Sequence, residues 1–324
     1  MLTFKEYSAL VNNIIETQSI GRNPQTLYEP IRYTLLQKGK RLRPVLALMA
    51  NALFEGKQEN IIYPAIGLEI FHNFTLIHDD IMDQAPIRRG METVYKKWNT
   101  ATAILSGDAM YALAYTFVVK TPSELLAEIL PVFNQTGMEV CEGQQYDMEF
   151  EQRENVTLEE YLEMIRLKTA VLLAASLKIG AITAHANPVD AQRLYDFGIK
   201  IGLAFQLQDD LLDVYSDEAT FGKINGGDIA TNKKTFLYLK AMEIANPEQK
   251  AELIKWYSSL DFNQNKKYHA VKSIYDYLDI SGVTHTLMNQ YLEDALELLS
   301  KINAQESHKA ELAELAQTLM DRKK

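Results

Sequence analysis

The sequence predicts an all-α protein, and three observations carry that prediction. Apolar residues recur at three- and four-residue spacing through long segments, as they do on buried helix faces. Glycine and proline number only fifteen and nine in 324 residues, so elements are broken rarely. Strand-like alternation bounded by turn residues is hard to find.

In chain order, the helical periodicity runs over Ile31 to Leu36, Val45 to Phe54, Ile62 to Ile81 and Leu105 to Val119. It continues over Tyr161 to Ile182, Ala191 to Val214, Phe236 to Ile244 and Thr286 to Ile302. Three loops stand between these segments. Pro86 and Gly90 end the helix that carries Asp79 and introduce Arg88 and Arg89. Asn187-Pro188 separates two helices. Gly222 to Gly227 joins an acidic helix end to Lys233-Lys234. No linker, repeat or composition shift divides the chain, so one domain over residues 1–324 is expected.

Apolar residues make up 47% and charged residues 23%, ordinary for a globular chain. The formal charge of −10 argues against a nucleic-acid surface and gives weight to any basic cluster. Cys141 stands alone, so no intramolecular disulfide is possible and a reducing, cytoplasmic location is expected. The N-terminal residues lack a basic start followed by an apolar run, so no signal peptide is read. Stable membrane insertion is not expected either. The nearest apolar stretch, Thr169 to Ala186, is broken by Lys178 and reads as a tightly packed buried helix.

The chemistry lies in five clusters. The first is Asp79-Asp80-Ile81-Met82-Asp83. Helical residues four apart share a face, so Asp79 and Asp83 project one turn apart. Such a pair suits Mg²⁺, which takes one or two carboxylates and keeps positions for water and substrate phosphate. A lone acidic run more often marks a solvated face, but the approach Phe74-Thr75-Leu76-Ile77 is apolar or small. Asp209-Asp210-Leu211-Leu212-Asp213 repeats the spacing some 130 residues on, again after an apolar approach. One such motif is weak evidence; two on separate helices are strong.

The third cluster, Gly39-Lys40-Arg41-Leu42-Arg43-Pro44, puts Lys40 and Arg43 on one face near a helix start, a setting that favours phosphate. Arg88-Arg89 follows the first acidic motif. Either basic pair alone would be a surface patch; beside two metal-type motifs in an acidic chain they read as phosphate holders. Among scattered lysines, Lys168 stands out because a buried-looking helix follows it, and a buried lysine needs an anionic partner. No Ser/His or Cys/His nucleophile arrangement and no zinc spacing is evident. Phe71, Phe74, Leu76, Phe205 and Leu207 line the helices near the acidic motifs and suit an apolar tail.

These blocks resemble the trans-prenyl diphosphate synthase, or polyprenyl synthetase, family, of the short-chain farnesyl and geranylgeranyl type. The resemblance also runs through Gly107-Asp108, Gly143-Gln144 with Asp147, Lys168-Thr169-Ala170, Phe205 to Asp213, Gly222-Lys223 and Lys233-Lys234-Thr235. It implies an isoprenoid-synthase-type helical bundle around a deep central cavity, usually a homodimer. It implies Mg²⁺, three ions per site, with Asp79, Asp83 and Asp209 as direct ligands and Asp80, Asp210 and Asp213 in support. Arg88, Lys168, Thr169, Gln206, Lys223 and Lys233 would bind the allylic diphosphate, with Thr169 and Gln206 near the developing cation. Lys40, Arg43, His72 and Arg89 would hold isopentenyl diphosphate. The implied reaction is ionisation, condensation and proton loss, with water excluded because it would trap the cation.

Phe74 lies roughly 7–8 Å along the helix from Asp79 and Phe71 roughly 12 Å. A bulky ring at Phe74 is where long-chain members tend to carry a small residue, so a product of fifteen or twenty carbons is expected, tilted to twenty. Departures are minor: Met91 and Glu92 follow Arg88-Arg89-Gly90 where the family often has lysine and proline, and Tyr95 stands where histidine is frequent. A class I terpene cyclase would carry an Asn/Asp-Ser/Thr-Glu motif in second place. A silent partner subunit would have lost acidic residues. Neither feature is found here.

Overall fold

The computed structural model describes residues 2–21, 23–216, 226–258 and 263–321. Helix dominates, as the periodicity predicts. The chain divides into two compact units. One comprises Met1–Asn134, Ala175–Tyr195 and Ile302–Glu311, the other Gln135–Ala174, Asp196–Lys301 and Leu312–Lys324.

The first unit is built on α1 (Phe4–Thr17), α2 (Gln25–Leu35), α3 (Leu42–Leu53), α4 (Gln58–Met82), α5 (Val94–Lys97) and α6 (Thr100–Val118). Thr3 and Glu6 form a capping box that satisfies the free N–H groups at the start of α1. Val45, Leu46, Ala47, Leu48, Met49 and Ala50 of α3 are all essentially inaccessible to water. That burial accounts for the apolar character of the segment from Val45. α4 packs along α6 and α3, which fixes the face from which Asp79 projects.

One departure from the sequence reading lies here. Ile87–Arg88 and Met91–Glu92 pair as a two-residue antiparallel hairpin, Ile87 opposite Glu92 and Arg88 opposite Met91. Arg89 and Gly90 between them have φ of 53° and 76°, the double left-handed turn that a tight hairpin requires. Two residues per strand are too few to show alternation, so the sequence presents this segment only as a loop.

The second unit takes in the C-terminal part of α7 (Leu126–Gln152), α8 (Leu158–Ile165), the start of α9 (Val171–Thr183) and most of α10 (Pro188–Tyr215). It continues with α11 (Gly227–Ala230), α12 (Phe236–Ile244), α13 (Pro247–Ser258), α14 (Gln264–Tyr277) and α15 (Ile280–Ser300), and holds the end of α16 (Glu306–Met320). Thr157 and Glu160 form a second capping box that starts α8. The segment read as one helix from Tyr161 to Ile182 is interrupted by a π-helical turn over Arg166–Ala170. Gly143 of α7 faces that turn so closely that a Cβ would stand 2.4 Å from the Lys168 nitrogen. A side chain there would push the two backbones apart. Most of the apolar run Thr169 to Ala186 is core, with Val171 to Ala175 all 2% exposed or less, while Lys178 is half-buried and His185 exposed.

Candidate active site

In the first unit, α4 ends at Met82 and Asp83 is its C-cap, still in right-handed helical geometry. The Asp83 N–H donates to the Asp79 carbonyl at 2.8 Å, so the two carboxylates stand one turn apart, as the spacing predicts. Asp80, between them, points inward and is buried. Its carboxylate accepts from Arg88 Nε at 2.6 Å, while Arg88 Nη2 reaches Asp79 at 3.1 Å. Burial outweighs that guanidinium and pushes the Asp80 carboxyl up to about 6. Arg88 is therefore tied to the acidic motif by the hairpin that carries it.

The basic residues of the same unit gather nearby. Gly39 lies against Arg89, whose Nη1 would be 3.0 Å from a Cβ placed there. Arg43 enters α3 in its first turn; its Nε is buried and has no hydrogen-bond partner. Burial lowers the Arg43 guanidinium to about 10, against the pull of Glu69. His72, half-buried on α4, is held well below the ordinary histidine value, first by burial and then by the charges of Arg43, Arg89, Arg88 and Arg41. The ring is neutral at pH 7. Lys40 is exposed at the rim of this run. An orphaned buried donor, a second guanidinium and a neutral imidazole make a place suited to an anion.

In the second unit a cavity of about 110 Å³ is lined by Lys168, Thr169, Gln206, Asp210, Asp228 and Lys233, among others. Lys168 Nζ pairs with Asp147 at 2.6 Å, the anionic partner its position demanded. The π turn sets Lys168 and Thr169 into this cavity; such turns are frequent at functional sites. Thr169 Oγ1 donates to Gln206 Oε1 at 3.0 Å, and Gln206 Nε2 donates to Asp210 at 3.3 Å. Asp210 is buried and also accepts from the Tyr161 hydroxyl at 2.6 Å. Burial, reinforced by Asp228, holds its carboxyl well above the carboxylate range. Asp209 and Asp213 do not line the cavity. Asp213 instead accepts from the Asp228 N–H at 3.0 Å. Burial, with Asp213 beside it, pushes the Asp228 carboxyl up to about 7.

Among the described residues, no three or more His, Cys, Asp or Glu side chains converge as a metal cage. The donor set is nonetheless hard oxygen, and one or two carboxylates completed by substrate phosphate is how Mg²⁺ is usually held. The residues fit that ion better than a preformed, all-protein site. Lys223 and Gly222 lie outside the described residues, as does the C-terminal 322–324. Sequence reasoning missed Tyr161 and Asp228 and gave Asp147 no role. Asp228 follows a glycine pair five residues before Lys233, which is a signal of a kind; Tyr161 carries none.

Phe71 is 1% exposed and packs edge-on against Phe74 at 5.4 Å and Phe133 at 5.5 Å between ring centres. Phe74 is half-buried and also meets Tyr111 at 5.3 Å and His78 at 4.9 Å.

The family model for polyprenyl synthetase matches residues 24–278. A geranylgeranyl diphosphate synthase of Sulfolobus acidocaldarius is 36% identical over 306 residues, 93% of this chain and 92% of that protein. A crystal structure of a geranylgeranyl pyrophosphate synthase superposes with a TM-score of 0.95 at 40% identity, covering all of both chains. A polyprenyl synthase from Caulobacter crescentus CB15, solved with calcium and isoprenyl diphosphate, gives 0.87 at 27% identity over 99% of this chain and 96% of that one.

Proposed function

Because the chain belongs to the polyprenyl synthetase family and is a prenyltransferase, we propose that it joins isopentenyl diphosphate head to tail to an allylic diphosphate. Diphosphate is released and a short all-trans prenyl diphosphate, of fifteen to twenty carbons, is formed. The observation that carries this reading is the division of labour inside the first unit. Arg43 and Arg89 set two guanidinium groups beside His72, whereas Asp79 and Asp83 present carboxylates one turn apart, with Arg88 paired to Asp79. One diphosphate can be held by protein cations alone, and the other needs a metal.

In this reading Asp79, Asp83 and Asp209 hold Mg²⁺, three ions in all, with Asp80, Asp210 and Asp213 in support. When bound, the metal supplies Lewis-acid stabilisation to the departing diphosphate. Arg88, Lys168, Lys223 and Lys233 bind the same diphosphate. Lys168 exchanges part of its pairing with Asp147 for the phosphate oxygens. Arg43, Arg89, His72 and Lys40 orient isopentenyl diphosphate so that its double bond faces the allylic carbon. The Thr169 hydroxyl and the Gln206 carbonyl, braced against each other and on Asp210, direct dipoles at the positive charge that develops there. The C–O bond of the allylic substrate breaks and the new C–C bond forms. A proton then leaves the isopentenyl carbon for the released diphosphate, so no side-chain base is required. The aromatic cluster of Phe71, Phe74, Tyr111 and Phe133 keeps water from the tail.

We also propose that residues 1–324 act as one catalytic domain and that two copies associate. No single described helix is long and apolar enough to cross a membrane, and we assign the protein to the cytoplasm. The test of the reaction is purified protein with Mg²⁺, radiolabelled isopentenyl diphosphate and each allylic primer in turn, with product length read by chromatography. A labelled product of fifteen or twenty carbons supports the reading. Absence of product with every primer overturns it.

A further inference from the structure

Arg41, whose charge is felt by His72 and Arg89, commits its guanidinium to protein acceptors beside the cluster of Arg43, His72 and Arg89. Its backbone is left-handed (φ 52°, ψ 37°) at the N-cap of α3, a conformation that non-glycine residues adopt seldom and only when their surroundings impose it. Here four hydrogen bonds do so. Nε donates to Asn12 Oδ1 at 2.9 Å and Nη1 to Glu69 Oε1 at 2.8 Å. Nη2 donates to the carbonyls of Leu35 at 2.7 Å and Gln37 at 2.8 Å. The Arg41–Glu69 pair is 2% and 3% exposed, so the fork is committed to buried protein acceptors and closed to a substrate.

What those bonds hold is the frame of the basic cluster. The Leu35 and Gln37 carbonyls belong to the end of α2 and to the loop that leads to Lys40. Glu69 is one turn from His72 on α4 and also accepts from Asn73 Nδ2 at 3.1 Å. Gly39, between the anchored Gln37 and Arg41, is the residue against which the Arg89 guanidinium lies. Lys40 and Arg43 flank the anchor itself. Moving the Arg41 fork therefore moves the backbone that presents Lys40 and Arg43, the surface that seats Arg89, and the turn that carries His72.

We propose that Arg41 is a positioning residue for the isopentenyl diphosphate pocket, acting through Glu69 and the loop backbone without touching substrate. The inference rests on the reading that Lys40, Arg43, His72 and Arg89 bind that substrate. Small misplacements of a binding constellation from outside it can cost about 10²-fold, and the anchored loop carries Lys40 and Arg43, so the effect is expected on isopentenyl diphosphate first.

The experiment compares Arg41→Gln and Asn12→Ala with Arg43→Ala and the parent enzyme. KM is measured separately for isopentenyl diphosphate and for the allylic primer, alongside kcat and the thermal midpoint. Arg41→Gln is expected to raise KM for isopentenyl diphosphate at least about tenfold while KM for the primer stays within about twofold. Asn12→Ala removes only one of the four bonds, keeps the buried ion pair and folds if Arg41→Gln does not. It shifts the same KM in the same direction by less. If both variants lower the thermal midpoint but leave the two KM values in their parental ratio, Arg41 is purely structural and the inference fails, while an Arg43→Ala effect leaves the pocket standing. If Arg43→Ala itself leaves KM for isopentenyl diphosphate unchanged, the pocket reading fails and takes this inference with it.

Discussion

The Tyr161 hydroxyl donates to Asp210 Oδ2 at 2.6 Å inside the second unit, on the middle aspartate of the second acidic motif. Burial holds the Tyr161 hydroxyl well above its ordinary value and the Asp210 carboxyl well above the carboxylate range. The contact is the principal support for a carboxyl group that Gln206 also reaches, at 3.3 Å. Tyr161→Phe leaves that acceptor short of a donor and is expected to lower unfolding stability by about 1–3 kcal/mol. Urea denaturation checks it; a midpoint equal to the parent's would show that Asp210 is held by other groups.

Two diphosphate sites with different chemistry should respond differently to loss of a cation. Arg43→Ala removes a desolvated guanidinium and is expected to weaken isopentenyl diphosphate by about 2–5 kcal/mol, with a smaller loss for the allylic substrate. Lys40→Ala, at an exposed position, should act in the same direction and less strongly. Steady-state KM values for both substrates decide it. Equal losses on both would remove the distinction between the sites.

Phe74 and Phe71 are not equivalent. In the proposed reaction the half-buried Phe74 ring would bound the growing tail, and Phe74→Ala is expected to lengthen the product by at least one isoprene unit. Phe71, at 1% exposure, is wedged between Phe74, Tyr111 and Phe133. Its truncation should cost about 3–5 kcal/mol of stability, so a chain-length effect from Phe71→Ala has to be read on protein shown to be folded. Chromatography of the products, beside thermal melts, separates the two roles. An unchanged product from Phe74→Ala would mean that the ring only packs.

His72 makes a pH-dependent contribution to stability whose sign is fixed. Its folded pKa is depressed, by burial first and by Arg43, Arg89, Arg88 and Arg41 after it. The unfolded chain therefore binds more protons through the acid range than the folded one does. The stability is present above the unfolded value of about 6.5 and is lost as pH falls toward the folded value. The thermal midpoint of the parent should drop on acidification below pH about 6.5 more steeply than that of His72→Gln. Parallel curves would show that the ring is not shielded as described.

How much of this was legible in the sequence depended on whether the determinant was local. The helices carrying Asp79 and Asp209 were legible because period and spacing are local properties. Lys168 was legible as a residue in need of an anion, but Asp147, on another helix, was identified as that anion only by the fold. The π turn that aims Lys168 and Thr169 was not legible, because Arg166-Leu167-Lys168-Thr169-Ala170 is unremarkable helix sequence. It arises where Gly143 lets α7 approach. Pro86 and Gly90 announced a loop after the helix, but not that a hairpin would close there and bring Arg88 onto Asp80. Tyr161 looked like one more apolar position on α8, since nothing in a sequence says which tyrosine faces a carboxylate.

Condensation in the proposed reaction requires a divalent cation held by the acidic motifs, and removing and restoring that cation tests this most directly. The assay follows incorporation of labelled isopentenyl diphosphate into an allylic primer by the parent enzyme, by Asp79→Ala and by Asp209→Ala. It is run in EDTA and again after readdition of Mg²⁺. Predicted is no product in EDTA and full recovery with Mg²⁺. Each variant should remain helical and lose about 10²–10³ or more in turnover. Parental turnover in EDTA, or in either aspartate variant at saturating Mg²⁺, would contradict it.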